Sequence, residues 1–154
     1  MTLLETIRAI EAVAQEQPSV NMIVRSDVLR INKAPDRRYG IFAWTQMQHS
    51  ATSSNDFVNY RFSLFYVDRL TEDRGNETEV QSVGIQTLDN VVRTLTDMGL
   101  QADTWTFHPF TERFVDECAG VWCDVTFSVL RAGICTELFT ADYGKDFNDE
   151  FLIY

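Results

Sequence analysis

The sequence predicts an α+β fold in which a mainly antiparallel β-sheet carries two helices packed on one face. Three observations lead to this prediction. Two stretches repeat apolar residues at helical spacing, and five stretches alternate apolar and polar residues as strands do. The strands also come in runs instead of alternating with helices, and no glycine-rich dinucleotide turn is present. The predicted order is α-β-β-β-α-β-β.

The first helix is predicted over residues 3–16. Thr2 and Glu5 have the spacing of a capping box, in which each side chain binds the backbone N–H of the other. Apolar residues then recur every three or four positions. The helix should end at Gln17, because the residue before Pro18 avoids the helical conformation.

Three strands are predicted next. Residues 19–25 form the first, with a strand-like continuation at residues 28–31, and residues 39–48 form the second. Residues 57–68 form the third, which is apolar on both faces. A strand of this kind either lies in the centre of a sheet or is covered by a second layer or subunit.

The second helix is predicted to follow a charged turn. Asn76 and Glu79 have capping-box spacing, and Gly99 stands where a helix end is expected. Its predicted core-facing stripe consists of Ile85, Leu88, Val91, Val92, Leu95 and Met98.

Two more strands complete the predicted domain. Residues 104–107 form the fourth strand, closed by His108 and Pro109, and residues 110–119 look irregular. Residues 121–129 alternate clearly as the fifth strand. We therefore expect one domain over residues 1–131 and an extension over residues 132–154, which has no place in the sheet and is expected to form an interface.

The charge of the chain argues against a surface that grips nucleic acid. Thirteen basic residues are scattered among 23 acidic ones, and the formal net charge is −10. Binding a duplex requires clustered Lys and Arg that release counterions. An acidic surface is compatible with DNA only as cargo that passes without being held.

The compartment predicted from the sequence is the cytoplasm. The first residues lack the basic stretch and apolar run of a secretion signal, and no apolar stretch approaches membrane-spanning length. Three cysteines do not suit a disulfide framework.

No catalytic or metal-binding pattern stands out, and no cofactor is expected. His49 and His108 lack partners at ligand spacing. Cys123 reads as a small core residue, and the acidic neighbours of Cys118 disfavour its thiolate. The acidic stretch 142–150 lacks the frame of a calcium loop, so a solvated surface is the better interpretation.

Several aromatic residues fall outside the inward pattern of the strands and are candidates for an interface. Some of them should pack under the helices, and the rest should form an exposed apolar patch. These candidates are Phe42, Trp44, Trp122, Phe151 and Tyr154.

Two stretches, VNYRFSLFYVDRLTEDRGNETEVQSVGIQTLDNVV at 58–92 and FTERFVDECAGVWCDVTFSV at 110–129, carry a resemblance to a known family. With the element order, they make most of residues 1–131 similar to the tail-terminator and neck-ring proteins of tailed bacteriophages, such as those of Bacteroidetes phages.

This resemblance implies a structural virion protein made in the cytoplasm of the host bacterium. It implies a ring of identical copies at the head–tail junction, in contact with other neck, portal or tail proteins, with a channel for DNA. It carries no catalytic residues. It also makes the polar loop 49–56 a candidate to meet the next ring or line the channel, through His49, Ser53 and Asn55.

Two other functions remain open from the residues. A small cytoplasmic binding module could use the aromatic face for a peptide or an apolar ligand. A metal-dependent hydrolase would have to use Asp116, Glu117 and His108, although their spacing is poor.

Overall fold

The computed structural model describes residues 1–33, 36–113 and 116–131, and it confirms the α+β class. The predicted extension over residues 132–154 lies outside the described residues, as do the interface candidates Phe151 and Tyr154. In chain order the elements are α1 (Leu3–Gln15), β1 (Met22–Val24), a 3₁₀ helix (Val28–Lys33), β2 (Ile41–Gln46), β3 (Ser50–Ala51), β4 (Phe57–Arg69), α2 (Glu77–Asp97), β5 (Thr106–Arg113) and β6 (Glu117–Leu130).

Within the described residues the strands form one sheet in the order β1-β2-β4-β6-β5, and the short β3 also pairs with β4. Every pairing is antiparallel except that of β1 with β2. The two longest strands, β4 and β6, pair from Phe57 opposite Leu130 to Arg69 opposite Cys118. Residues 57–68 form a strand as predicted, and of the two positions left open for it the central one is found, because β4 has neighbours on both sides.

The capping box at the start of α1 is present in both halves. The Glu5 N–H donates to Thr2 Oγ1 at 3.2 Å, and the Thr2 N–H donates to Glu5 Oε2 at 2.6 Å. An N-cap of this type stabilises a helix by about 1 kcal/mol. The helix buries Ile10, Val13 and Ala14, and it ends just before Pro18, as predicted.

The capping box predicted for α2 is wrong. The Asn76 side chain makes no capping bond and instead closes the preceding turn. It donates to the Arg69 carbonyl at 3.1 Å and accepts from the Thr71 N–H at 2.9 Å. The first turn of α2 carries Glu77 and Glu79, whose charges complement the helix dipole.

The predicted apolar stripe of α2 is confirmed in its centre and wrong at its edges. Leu88, Val91, Val92 and Leu95 are buried, whereas Ile85 is 39% and Met98 55% exposed. The buried side of the helix instead includes Val80, Gly84 and Thr87. Gly84 can lie close to the sheet because it has no side chain. Gly99 ends the helix with a φ of 103°, which glycine adopts without strain.

Two strand predictions are wrong because the position of the segment in the tertiary structure overrides its local pattern. Residues 28–33 form a 3₁₀ helix, because the chain leaves the sheet at Ser26, where φ is 74°. Ile31 of this helix packs on the sheet instead of extending it. β5 does not stop at His108 but continues through Pro109 to residue 113, since an edge strand tolerates a residue without an N–H. Most of the region predicted as irregular, 110–119, is therefore strand.

Candidate interface on the open face of the sheet

The two faces of the sheet are covered to different extents. Side chains alternate between the faces along each strand. On one face, α1 and α2 close a large core that contains Phe62, Leu64, Tyr66 and Phe127. The other face, called the open face below, receives the remaining side chains of the same strands and has no α-helix over it in the described part of the chain.

One end of the open face is closed by the 3₁₀ helix. Here a second, smaller core forms, and every one of its buried members is fully shielded from solvent. These members are Met22, Val24, Ile31, Ile41, Ala43, Val67 and Cys118.

A polar latch holds the chain before β2 onto the start of β6. The Tyr39 hydroxyl donates to Asp116 Oδ2 at 2.7 Å. Arg37 Nε and Arg69 Nη2 lie 3.7 and 3.8 Å from the same carboxylate. The hydrogen bond from Tyr39, followed by the two guanidinium groups, holds the pKa of Asp116 below its usual value. Burial and the Asp116 contact raise the pKa of Tyr39, which therefore remains the hydrogen-bond donor.

A row of stacked rings crosses the middle of the open face. Phe65 of β4 pairs with Trp122 of β6, which pairs with His108 of β5. The Trp122 ring lies 4.1 Å from the His108 ring at 21° and 6.3 Å from the Phe65 ring at 30°. Phe110 meets Phe65 edge-on at 6.5 Å. These four residues, called the aromatic row below, are all partly exposed to solvent.

The other end of the open face is polar, and its side chains bind one another. Ser63 Oγ donates to Asp124 Oδ1 at 2.6 Å, and Arg61 Nη2 lies 3.6 Å from the other oxygen of Asp124. Ser128 Oγ donates to Asn59 Oδ1 at 2.7 Å. Because these groups are already paired, they can be covered by another surface at a smaller desolvation cost than unpaired groups.

A polar cleft lies at the border of this polar end. Gln101 bridges to Ser128, while Thr106 pairs with Asp124, so one extra residue is inserted on the side of β5. The resulting cleft has a volume of about 360 Å³. It is lined by Asn59, Gln101, Asp103, Thr104, Thr126 and Ser128.

The structure removes two predicted residues from the candidate interface. Phe42 and Trp44 are 0% and 4% exposed and belong to the core under the helices, so the prediction is wrong for them. The reason is their position on β2, which points their side chains to the helix-covered face together with Phe62 and Leu64.

His49, Ser53 and Asn55 lie just before β4, near the end of the sheet where the open face is polar. His49 is half-buried, and both ring nitrogens make contacts within the chain. Its Nδ1 accepts from the Arg61 N–H at 3.1 Å, and its Nε2 lies 3.0 Å from Gln46 Oε1. Ser53 and Asn55 are exposed on the loop that precedes β4.

Among the predicted candidates within the described residues, Trp122 is the one in the aromatic row. Its neighbours Phe65, His108 and Phe110 were not among the predicted candidates. Alternation along β4 placed Phe65 on the second face, but nothing local indicates that residues 65, 108 and 122 lie side by side.

The residues considered for a metal-dependent hydrolase do not converge. The Asp116 carboxylate faces Tyr39, whereas Glu117 pairs with Arg74 at 3.3 Å, and His108 is stacked on Trp122. Within the described ranges, no group of three or more His, Cys, Asp or Glu side chains is placed to hold a metal ion. Burial raises the pKa of the Cys118 thiol to about 11 and that of Cys123 to about 12. Neither thiol is therefore a ready nucleophile.

Comparison of the chain with models of known protein families and with curated proteins finds no match. In the part of the chain that the structure describes, no helix combines the length and hydropathy needed to cross a membrane.

Proposed function

We propose that this protein is a structural subunit that joins copies of itself into a ring, of the kind found at the neck or upper tail of tailed bacteriophages. The observation that carries the proposal is the aromatic row on the open face. Trp122, Phe65 and His108 stack on one another but keep part of their surface in solvent. Partly exposed aromatic clusters of this kind are typical of protein–protein interfaces.

The surroundings of the row also suit an interface. On one side lie the paired polar groups of Ser63, Asp124 and Arg61, and on the other the latch around Asp116. An apolar centre with a polar rim is the usual anatomy of a recognition surface. A standard interface covers about 800 Å² of each partner, an area that one face of a small sheet can supply.

The family resemblance supports the more specific role. The two stretches that carry it, residues 58–92 and 110–129, include almost all of β4, most of α2, the end of β5 and almost all of β6. Three of the four members of the aromatic row lie within them, namely Phe65, Phe110 and Trp122. A net charge of −10 suits a ring through which DNA passes without being held.

A ring also requires that assembly stop at closure. A heterologous contact, in which two different patches meet, closes into a ring if the rotation between subunits allows it. The outer edge of β5 is free in the described part of the chain, yet Pro109 removes one backbone donor from the middle of this strand. This makes open-ended strand addition at β5 less favourable and leaves the open face as the better joining surface.

The proposal is tested by measuring the mass of the protein in solution by light scattering over a wide range of concentrations. We expect the mass to grow with concentration toward a closed oligomer. Trp122→Ser should raise the midpoint concentration of assembly at least roughly tenfold, which corresponds to about 1.4 kcal/mol. The matched control is Met98→Ser, which removes a 55% exposed apolar side chain at the C-terminal cap of α2 and should leave the midpoint unchanged.

The second candidate function uses the same face in another way. A small binding module would hold a peptide or an apolar ligand on the aromatic row and would have no need to assemble. A wild-type protein that stays monomeric at every concentration would therefore contradict the ring proposal and favour the binding module.

A further inference from the structure

His108 brings a ring that can carry a charge into the aromatic row. It lies opposite Trp122 in the pairing of β5 with β6, and the two ring centroids are 4.1 Å apart with planes inclined by 21°. Phe65 stacks on Trp122 from the neighbouring strand β4, at 6.3 Å. The His108 side chain is partly exposed. A charge on this ring therefore appears within the surface that we propose to join the copies.

Histidine is the side chain whose ordinary pKa, about 6.5, lies between pH 5 and pH 8. The chain has two histidines, His49 and His108. Both ring nitrogens of His49 make contacts within the chain, with the Arg61 N–H and Gln46 Oε1. The structure gives the His108 ring no hydrogen bond or ion pair with the described residues, and its contact there is the stack on Trp122. The nitrogens of His108 therefore depend on solvent for their hydrogen bonds.

The charged groups toward the polar end of the face are already paired with one another. Asp124 lies on β6 two residues beyond Trp122, and its strand partner on β5 is Thr106. Its carboxylate accepts a hydrogen bond from Ser63 Oγ at 2.6 Å and lies 3.6 Å from Arg61 Nη2 of β4. A proton on His108 thus gains no unpaired carboxylate on this side.

The titratable groups toward the closed end are also engaged or distant. Asp116 lies 3.8 Å from Arg69 of β4 and accepts the hydrogen bond of the latch. Cys118 is buried, and burial raises the pKa of its thiol to about 11, so it stays neutral. On β5 itself, Glu112 is four positions from His108, about 13 Å at roughly 3.3 Å per residue.

Covering the face acts differently on the two forms of His108. In the isolated subunit a protonated ring is tolerated, because solvent hydrates it and the π-face of Trp122 attracts cations. A covering surface removes that solvent, and a buried charge without an opposite charge costs far more than a neutral ring. The charge therefore opposes the covering of the face and has little effect on the fold of the subunit.

We infer that His108 makes the joining of copies sensitive to pH, so that the open face joins when His108 is neutral and is released when His108 takes up a proton. This inference rests on the proposed function and adds a means of regulating it. The isolated subunit binds more protons than the assembled one under this arrangement. Assembly then releases protons and weakens as the pH falls.

The test compares assembly midpoints, measured by light scattering, at about pH 7.5 and about pH 5.5. For one covered histidine of ordinary pKa, the midpoint of the wild type should rise by up to about tenfold at the lower pH. His108→Phe keeps a ring for the stack but cannot take up the proton, so its midpoint should change by less than about twofold. His108→Gln, which removes the ring as well, should lose the pH dependence in the same way.

The matched control is His49→Gln, which removes the other histidine and should keep the pH dependence of the wild type. Tryptophan fluorescence of dilute, unassembled protein gives a second readout, because a protonated imidazole in contact with an excited indole quenches its emission. The emission should fall between the two pH values in the wild type and in His49→Gln. The fall should be absent in His108→Phe, since Trp122 is the tryptophan stacked on residue 108.

The remaining outcomes overturn the inference in distinguishable ways. A wild type that assembles equally well or better at the lower pH would overturn it and leave the proposed function standing. A pH dependence that persists in both His108 variants would assign the effect to other groups, and an emission that stays constant would show that no proton is gained beside Trp122. A wild type that stays monomeric at both pH values would overturn the proposed function together with the inference.

Discussion

The two faces of the sheet are made by alternate residues of the same strands, yet they differ in how completely they are sealed. On the helix-covered face, Phe62, Leu64 and Phe127 are fully buried. On the open face, the neighbours Phe65, Trp122 and His108 keep part of their surface in water. The difference shows that local strand pattern alone does not distinguish a sealed face from an open one. What separates the two is the presence of a second layer.

The comparison predicts its largest effect for a pair of aromatic deletions, one on each face. Phe127→Ala should lower the free energy of unfolding by about 3–5 kcal/mol, because it leaves a cavity under the helices. Trp122→Ala should lower it by only about 1–2 kcal/mol in the monomer, since mainly ring stacking is lost. Urea unfolding of dilute protein measures both values. Equal losses would mean that Trp122 is a core residue.

A second pair of variants compares the two faces through their glycines. At Gly120, on the open face, a Cβ atom would overlap the Tyr66 carbonyl oxygen of the neighbouring strand and lie 2.9 Å from the Phe110 ring. Gly120→Ala should therefore cost about 3 kcal/mol and displace Phe110 from the aromatic row.

At Gly84, on the helix-covered face, the Cβ atom would lie 3.0 Å from Tyr66 Cδ1 and 3.2 Å from Val121 Cγ2, which are side-chain atoms. Alanine also gains about 1 kcal/mol of helix propensity over glycine. Gly84→Ala should thus change the unfolding free energy by less than about 1 kcal/mol. A larger loss for Gly84→Ala than for Gly120→Ala in thermal or urea unfolding would contradict this packing.

The smallest expected effect concerns the latch at the closed end of the open face. The pKa of Asp116 is lowered in the folded protein, so its contribution to stability is present above the unfolded pKa of about 3.9 and is lost as the pH falls through the folded pKa. Because the side chain is 25% exposed and its ion pairs are screened, the contribution should be about 0.5–1 kcal/mol.

Asp116→Asn should therefore be less stable than wild type at pH 7, and the two should converge as the pH falls below about 4. Urea unfolding at a series of pH values checks this. A constant difference across the series would mean that the carboxylate charge is not what holds Tyr39, Arg37 and Arg69.

The elements that could be predicted are those whose signals are local. Thr2 and Glu5 start α1, Gly99 ends α2, and the alternation along β4 assigns its side chains to two faces. The errors arise where a distant partner decides. Asn76 closes its own turn instead of capping α2, and residues 28–33 leave the sheet so that Ile31 can cover it.

The candidate interface was harder to predict than the fold. In the sequence, Phe42 and Trp44 look like Trp122, because all three are large aromatic residues in predicted strands. In the structure, the helices cover Phe42 and Trp44. The aromatic row contains residues from three strands, and the register that aligns them across the sheet cannot be read from the sequence. Assigning a face to a strand is thus possible from the sequence, whereas identifying the face that stays open requires the tertiary structure.

The most direct test of the central claim is hydroxyl-radical footprinting of the wild-type protein below and above the assembly midpoint that the proposed function predicts. Mass spectrometry would compare the oxidation of Trp122 on the open face with that of Met98 at the C-terminal cap of α2, which is 55% exposed. If the open face joins the subunits, oxidation of Trp122 should fall several-fold on assembly while that of Met98 stays constant. If the protein assembles and Trp122 is oxidised as fast as before, the joining surface lies elsewhere and the account is contradicted.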